Sequence, residues 1–143
     1  MENNFFLIQN IVDSYYTKSD ISVEHLKIAS DFQSMLKKDF NDEQFIDLLI
    51  YTGYIPDLYL SNSSQENLYS KLIEVLVCEW AQRLGLNSRF VKPKSGYEDV
   101  TIFLDNNAIV CDAKSFRLGR SQKAPNVKDF IKSAWLLLAA VVI

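Results

Sequence analysis

The chain has one histidine, two cysteines, three prolines and four glycines in 143 residues, and each scarcity excludes something. One histidine and two distant cysteines offer no zinc-ligand spacing and no CxxC redox pair. His25, inside a helical pattern beside Glu24, reads as a surface or satisfied residue. Cys78 and Cys111 both sit in apolar surroundings. With no secretory leader pattern either, they are expected to be reduced core residues of a cytoplasmic protein. There is no Ser/His/Asp constellation, no P-loop and no dinucleotide fingerprint. No apolar run reaches the roughly 18 residues that a membrane-spanning helix needs, so no membrane partner is expected. Few breakers, 48% hydrophobic and 23% charged residues describe about one packed domain.

Charge is present but unevenly spread. The net of −3 conceals two unlike halves. Residues 1–82 carry five Lys/Arg against thirteen Asp/Glu, whereas residues 83–132 carry ten against five, Arg83 and Arg89 among them. A net of +5 on the second stretch is the footprint that a polyanion needs, although a solvated lysine-rich surface has the same composition.

The first sixty residues read as helices. "NFFLIQNIVDSYY" places Phe5, Ile8, Ile11, Val12 and Tyr15 on one side, and "VEHLKIASDFQSMLKK" does so with Leu26, Ile28, Phe32, Met35 and Leu36. "NDEQFIDLLIYTG" opens on Asn41 or Asp42 as N-cap and closes on Gly53. After a loop around Pro56, Ser63 and Glu66 form a capping box. The helix it opens, about 64–84, turns Leu68, Leu72, Val75, Leu76 and Trp80 inward and ends at Gly85. From there the period changes to two. "SRFVKP" is a short strand, "KSGYED" a turn, and "VTIFLD" (100–105) and "AIVCDAKSF" (108–116) are two strands joined at Asn106-Asn107 as a hairpin loop. Helix resumes from about Asn126.

In that hairpin Asp105 pairs with Ala108, Asp99 faces Lys114, and Thr101 faces Asp112. One face then holds Val100, Ile102, Leu104, Ile109, Cys111 and Ala113, all apolar, while Asp99, Asp112 and Lys114 gather on the other. Two carboxylates on one face repel unless a cation lies between them. Hard oxygen donors suit Mg²⁺, which keeps waters and phosphate oxygens in its remaining positions. Lys114 is then placed to hold or deprotonate a water attacking a phosphodiester. The alternative reading of a D-x-K triplet is a weak surface ion pair on the wet face of a strand.

"PDLYLSNSSQENLYSKLIEVL" (56–76), "GYEDV" (96–100) and above all "CDAKSFRLGRSQKAPNVKDFIKSA" (111–134) resemble the HindIII-type restriction endonucleases of the PD-(D/E)xK nuclease superfamily. The resemblance runs from about residue 40 to 134 and implies an α/β (α+β) fold, a mixed sheet core flanked by helices behind a helical N-terminal region. It also implies Mg²⁺-dependent cleavage of double-stranded DNA by a homodimer, paired with a cognate methyltransferase in a restriction-modification system. Carried over, Asp99, Asp112 and Lys114 are the catalytic set, and Ala113 offers its backbone carbonyl to the metal. A helix glutamate joins them: Glu74 by its mid-helix place, with Glu79 a further possibility and Glu66 assigned to the capping box. Ser115, Arg117, Arg120 and Lys123 are candidate DNA contacts.

The expected organisation is a single, partial domain, with a helical region at 1–60, a catalytic core at 61–134 and an atypical apolar end at 135–143. Members of the resembled family are about twice as long, so a truncated, inert fragment is the second expectation. A PD-(D/E)xK nuclease of repair or junction resolution is the third.

Overall fold

The computed structural model describes residues 6–16, 24–52, 54–90, 100–111 and 113. Among these residues four helices precede a three-stranded sheet: α1 (Leu7–Tyr16), α2 (His25–Asp39), α3 (Asp42–Tyr51), α4 (Ser64–Arg83), β1 (Asn87–Phe90), β2 (Val100–Leu104) and β3 (Asn107–Cys111). The helical first part followed by a hairpin-built sheet is the expected mixed α/β class. The described strands pair antiparallel in the order β1-β2-β3. Gly53 as a helix terminator, the helix from about Asn126 and the apolar 135–143 end lie outside the described residues. Among the described residues no helix is long and apolar enough to cross a membrane.

Local chemistry sets the helix ends. Asn41 Oδ1 accepts from Gln44 N at 2.9 Å and Gln44 Oε1 accepts from Asn41 N at 3.0 Å, a reciprocal cap that starts α3. At α4 the Ser63 hydroxyl accepts from Glu66 N at 3.2 Å. The Glu66 carboxylate takes the Asn62 amide at 2.8 Å, one residue earlier than a capping box expects, while Ser63 N donates to Leu60 O. Asn62, at φ 59°, turns the chain so that its amide meets that carboxylate. Gly85, at φ 82°, closes α4. Its amide bonds Gln82 O and the Leu86 amide bonds Ala81 O, both at 3.0 Å, the double bond of a Schellman end.

Helix α4 lies between two layers and is buried on both sides. Leu68, Leu72, Val75 and Leu76 join Ile8 and Val12 of α1, Ile28, Phe32 and Leu36 of α2, and Phe45 and Leu48 of α3 in the main core. Cys78 and Ala81 form a second cluster with Val100, Ile102 and Cys111 of the sheet. A single inward stripe therefore misreads this helix. Trp80, expected inside, is 43% exposed, and Ile73, Glu74, Cys78 and Glu79 are buried instead. Leu26, also expected inside, is 37% exposed at the start of α2, where Ala29 takes the core position. The loop before α4 is pinned by Tyr59, whose hydroxyl donates to Asp13 Oδ1 at 2.8 Å and whose ring meets Tyr69 edge-on at 6.2 Å.

Arg83 ties α4 to the α2–α3 junction. Its guanidinium donates to Glu79 Oε1 (3.0 Å), Asp42 Oδ1 (2.8 Å), Leu36 O (2.9 Å) and Phe40 O (2.8 Å), and stacks 4.5 Å over the Phe45 ring. The two carbonyls belong to the end of α2, where a cation also meets the negative end of the helix dipole. Arg83 was counted in the basic stretch, but here it serves the fold and leaves the surface field weaker by one charge.

The hairpin keeps its expected faces and changes its register. The pairs are Val100↔Cys111, Thr101↔Val110, Ile102↔Ile109, Phe103↔Ala108 and Leu104↔Asn107, so the loop is Asp105-Asn106. Asn106-Asn107 as loop, with Thr101 opposite Asp112, is overturned. Moving the loop by one residue shifts each partner by two, which leaves the same residues on each face. The apolar pattern is blind to that shift, and the turn decides it: Asp105 takes φ 49°, a left-handed conformation that Asp tolerates.

Candidate active site

Two of the residues read as site members lie within the described chain, Glu74 and Ala113. Asp99, Asp112, Lys114, Ser115, Arg117, Arg120 and Lys123 lie outside it. The described chain runs up to both acidic positions all the same. Val100, which follows Asp99, is 0% exposed, and Cys111, which precedes Asp112, is 3% exposed. The two are paired across β2 and β3. Burial pushes the Cys111 thiol above its ordinary range, so it stays a neutral core group. Both cysteines are free and buried. Ala113 is half-buried and packs against the main core, the cluster that contains Leu72, Ile73, Val75 and Leu76 of α4.

Those four residues surround Glu74 in sequence. Glu74, Cys78 and Ala81 recur at helical spacing, and Cys78 and Ala81 already face Val100, Ile102 and Cys111. Glu74 is thus one turn nearer the start of α4 on the stripe that faces the sheet. It is buried, 8% exposed, and its carboxylate meets the Lys71 ammonium. Glu79 stands five residues on and belongs to the opposite side of the helix, engaged with Arg83 at 3.0 Å. Its Oε2 is buried and has no hydrogen-bond partner among the described residues. Of the helix glutamates, then, Glu74 shares a face with the sheet, Glu66 caps the helix and Glu79 serves the Arg83 junction.

Strand β1 is fixed to α4 from the helix side. Ser88 Oγ donates to Cys78 O at 2.8 Å, and Gln82 Nε2 donates to Ser88 O at 2.8 Å, so α4 and β1 are stitched over one turn. On the sheet's other face Arg89 lies 4.8 Å over the Phe103 ring, opposite Thr101. A cation on that face is what a phosphate backbone would meet, and this is the one member of the basic stretch that the described residues leave exposed.

His25 is satisfied, as expected. Its Nε2 lies 3.2 Å from both Tyr16 Oη and Ser64 Oγ, and burial first, then the Lys71 charge, lower its pKa. Lys71 was not among the expected site residues. Its i,i+3 spacing to Glu74 was the available signal. Among the described residues no group of three or more His, Cys, Asp and Glu is assembled for a metal. Glu74 and main-chain carbonyls are hard oxygen donors, the kind that Mg²⁺ and not a soft metal takes.

The described frame is a mixed α/β unit with a buried helix carboxylate, Glu74, on the α4 stripe that faces the sheet. The family follows: residues 9–135 match the model of the HindIII restriction endonuclease family, and the chain belongs to it. It is similar to the type II restriction enzyme HindIII of Haemophilus influenzae, 36% identical over 92 residues. That stretch is 63% of this chain and 30% of the relative, so the alignment spans under a third of that enzyme's length.

Proposed function

We propose that this chain carries the catalytic groups of a type II site-specific deoxyribonuclease. In this reading Mg²⁺-dependent hydrolysis cuts phosphodiester bonds in double-stranded DNA, inside the bacterial cytoplasm and beside a cognate methyltransferase. Residues 1–143 belong to one domain with its catalytic core at 61–134, and the working form is a homodimer. The observation that carries the reading is Glu74, a buried acid on the sheet-facing stripe of α4, next to a hairpin bounded in sequence by Asp99 and Asp112.

In this reading Asp99, Asp112 and Glu74 supply the carboxylates that hold one Mg²⁺, whose charge offsets their mutual repulsion. Ala113 adds its carbonyl there. Mg²⁺ supplies charge to polarise the phosphodiester and offset the charge that develops on it. Lys114 would hold or help deprotonate the attacking water; as its oxygen bonds phosphorus, the bond to the leaving oxygen breaks and that oxygen takes a proton from solvent. Ser115, Arg117, Arg120 and Lys123 hold the DNA by phosphate and base contacts.

The test is to incubate the purified chain with plasmid DNA and Mg²⁺ beside Asp112→Ala. Discrete bands that vanish in the variant are expected. Bands that persist in Asp112→Ala refute the site, and random nicking points to a repair-type nuclease instead. A second reading, binding without cleavage, rests on the 30% share of the relative that is aligned. DNA and metal bound with no band produced would select it.

A further inference from the structure

The ammonium against Glu74 is more than a surface pairing. The side chains of Lys71 and Glu74 are 14% and 11% exposed, whereas the Lys27–Asp31 pair on α2 is 68% and 57% exposed. An exposed pair is screened and dispensable. A nearly buried pair is shielded from that screening, so removing one member is felt by the other. The Lys71 charge also reaches His25, where it is the second cause, after burial, of a lowered pKa.

We propose that Lys71 is a built-in counter-ion for Glu74, seated on the carboxylate in the metal-free protein and displaced when a divalent cation binds, so that it sets the affinity for metal. This rests on the reading of Glu74 as a metal ligand. Two cations cannot share one carboxylate in a poorly solvated place without strong repulsion. The ammonium ends a flexible four-carbon stem and can swing aside, which a guanidinium fork held by two bonds does less readily. Lys71 is a positioning residue: it acts on the metal through Glu74.

Isothermal titration of Mn²⁺ into the full 143-residue chain, without DNA, tests this with no reliance on cleavage. Lys71→Met is expected to tighten Mn²⁺ binding by about tenfold, Lys71→Arg to leave it at or below the wild-type value, and Glu74→Gln to weaken it. In Glu74→Gln, adding Lys71→Met brings no further gain. Lys71→Gln, with far-UV circular dichroism on every variant, covers the case in which Lys71→Met does not fold. If Glu74→Gln weakens binding while neither neutral Lys71 variant tightens it, the counter-ion is refuted and Glu74 stands as a ligand. If Glu74→Gln binds as the wild type does, both readings fall. Wild-type binding too weak to measure that becomes measurable in Lys71→Met supports the proposal, and no binding by either overturns it.

Discussion

Replacing Arg83 by methionine isolates the contact that holds the helical layer together. The side chain is 16% exposed and makes four hydrogen bonds, but they are not of equal weight. Asp42 is 82% exposed, so its share is worth about 0.2–1 kcal/mol. Glu79 is 4% exposed with one oxygen already unpartnered, and without Arg83 its charge has no offset among the described residues. Removing one member of such a buried pair costs about 3–5 kcal/mol. Against a typical domain stability of about 5–15 kcal/mol, that is a large fraction. Urea unfolding followed by circular dichroism should therefore show a much lower midpoint at an unchanged slope for Arg83→Met. The double variant Arg83→Met/Glu79→Met should recover at least about 1 kcal/mol, because an apolar pair needs no counter-charge. A single variant within about 1 kcal/mol of wild type, or a double variant no better than the single, would show that burial of the pair has been misjudged.

Three further outcomes are expected. Gly85→Ala should cost about 1–2 kcal/mol in the same unfolding assay, because an added Cβ meets nothing within 4 Å and only the positive φ of 82° is strained; Gly85→Asn should cost less, and equal losses in the two would mean that space and not backbone decides. His25 has its pKa lowered, by burial first and the Lys71 charge second, so the unfolded chain binds the proton more readily; stability should be full above about pH 6.5 and fall as pH drops through the lowered folded value, a slope that His25→Gln abolishes and that is refuted if both proteins respond alike. DNA binding measured by fluorescence anisotropy should weaken linearly in log K against log salt, since phosphate contacts release counter-ions; indifference to salt would rule out a backbone contact by the basic stretch.

Much of the fold was legible because its signals are local. The Asn41–Gln44 cap, the Ser63 cap and Gly85 act through neighbours within five residues, and each helix end fell where they stand. The core face of the hairpin was legible for a similar reason: side chains alternate with period two whatever the partner strand does. Glu74 could be noticed by its place in the helix, and the structure puts it on the stripe through Cys78 and Ala81 that faces the sheet; its role toward a metal is proposed. The D-A-K string carried the family, which the match over residues 9–135 bears out.

What composition and spacing could not decide is everything that depends on who stands opposite. The register of the hairpin shifts by two without disturbing its apolar face, so only the backbone of Asp105 in the folded turn selects the pairing. Trp80 reads as a core residue on a one-sided helix, but α4 has helices on one side and a sheet on the other, and the arc left to solvent is the one that holds Trp80. Arg83 counts as one more basic charge until α2 and α3 bring two carbonyls and a ring to its guanidinium. Elements follow from a residue and its near neighbours, whereas partners follow from other chain segments that the fold brings alongside, and no local pattern encodes those.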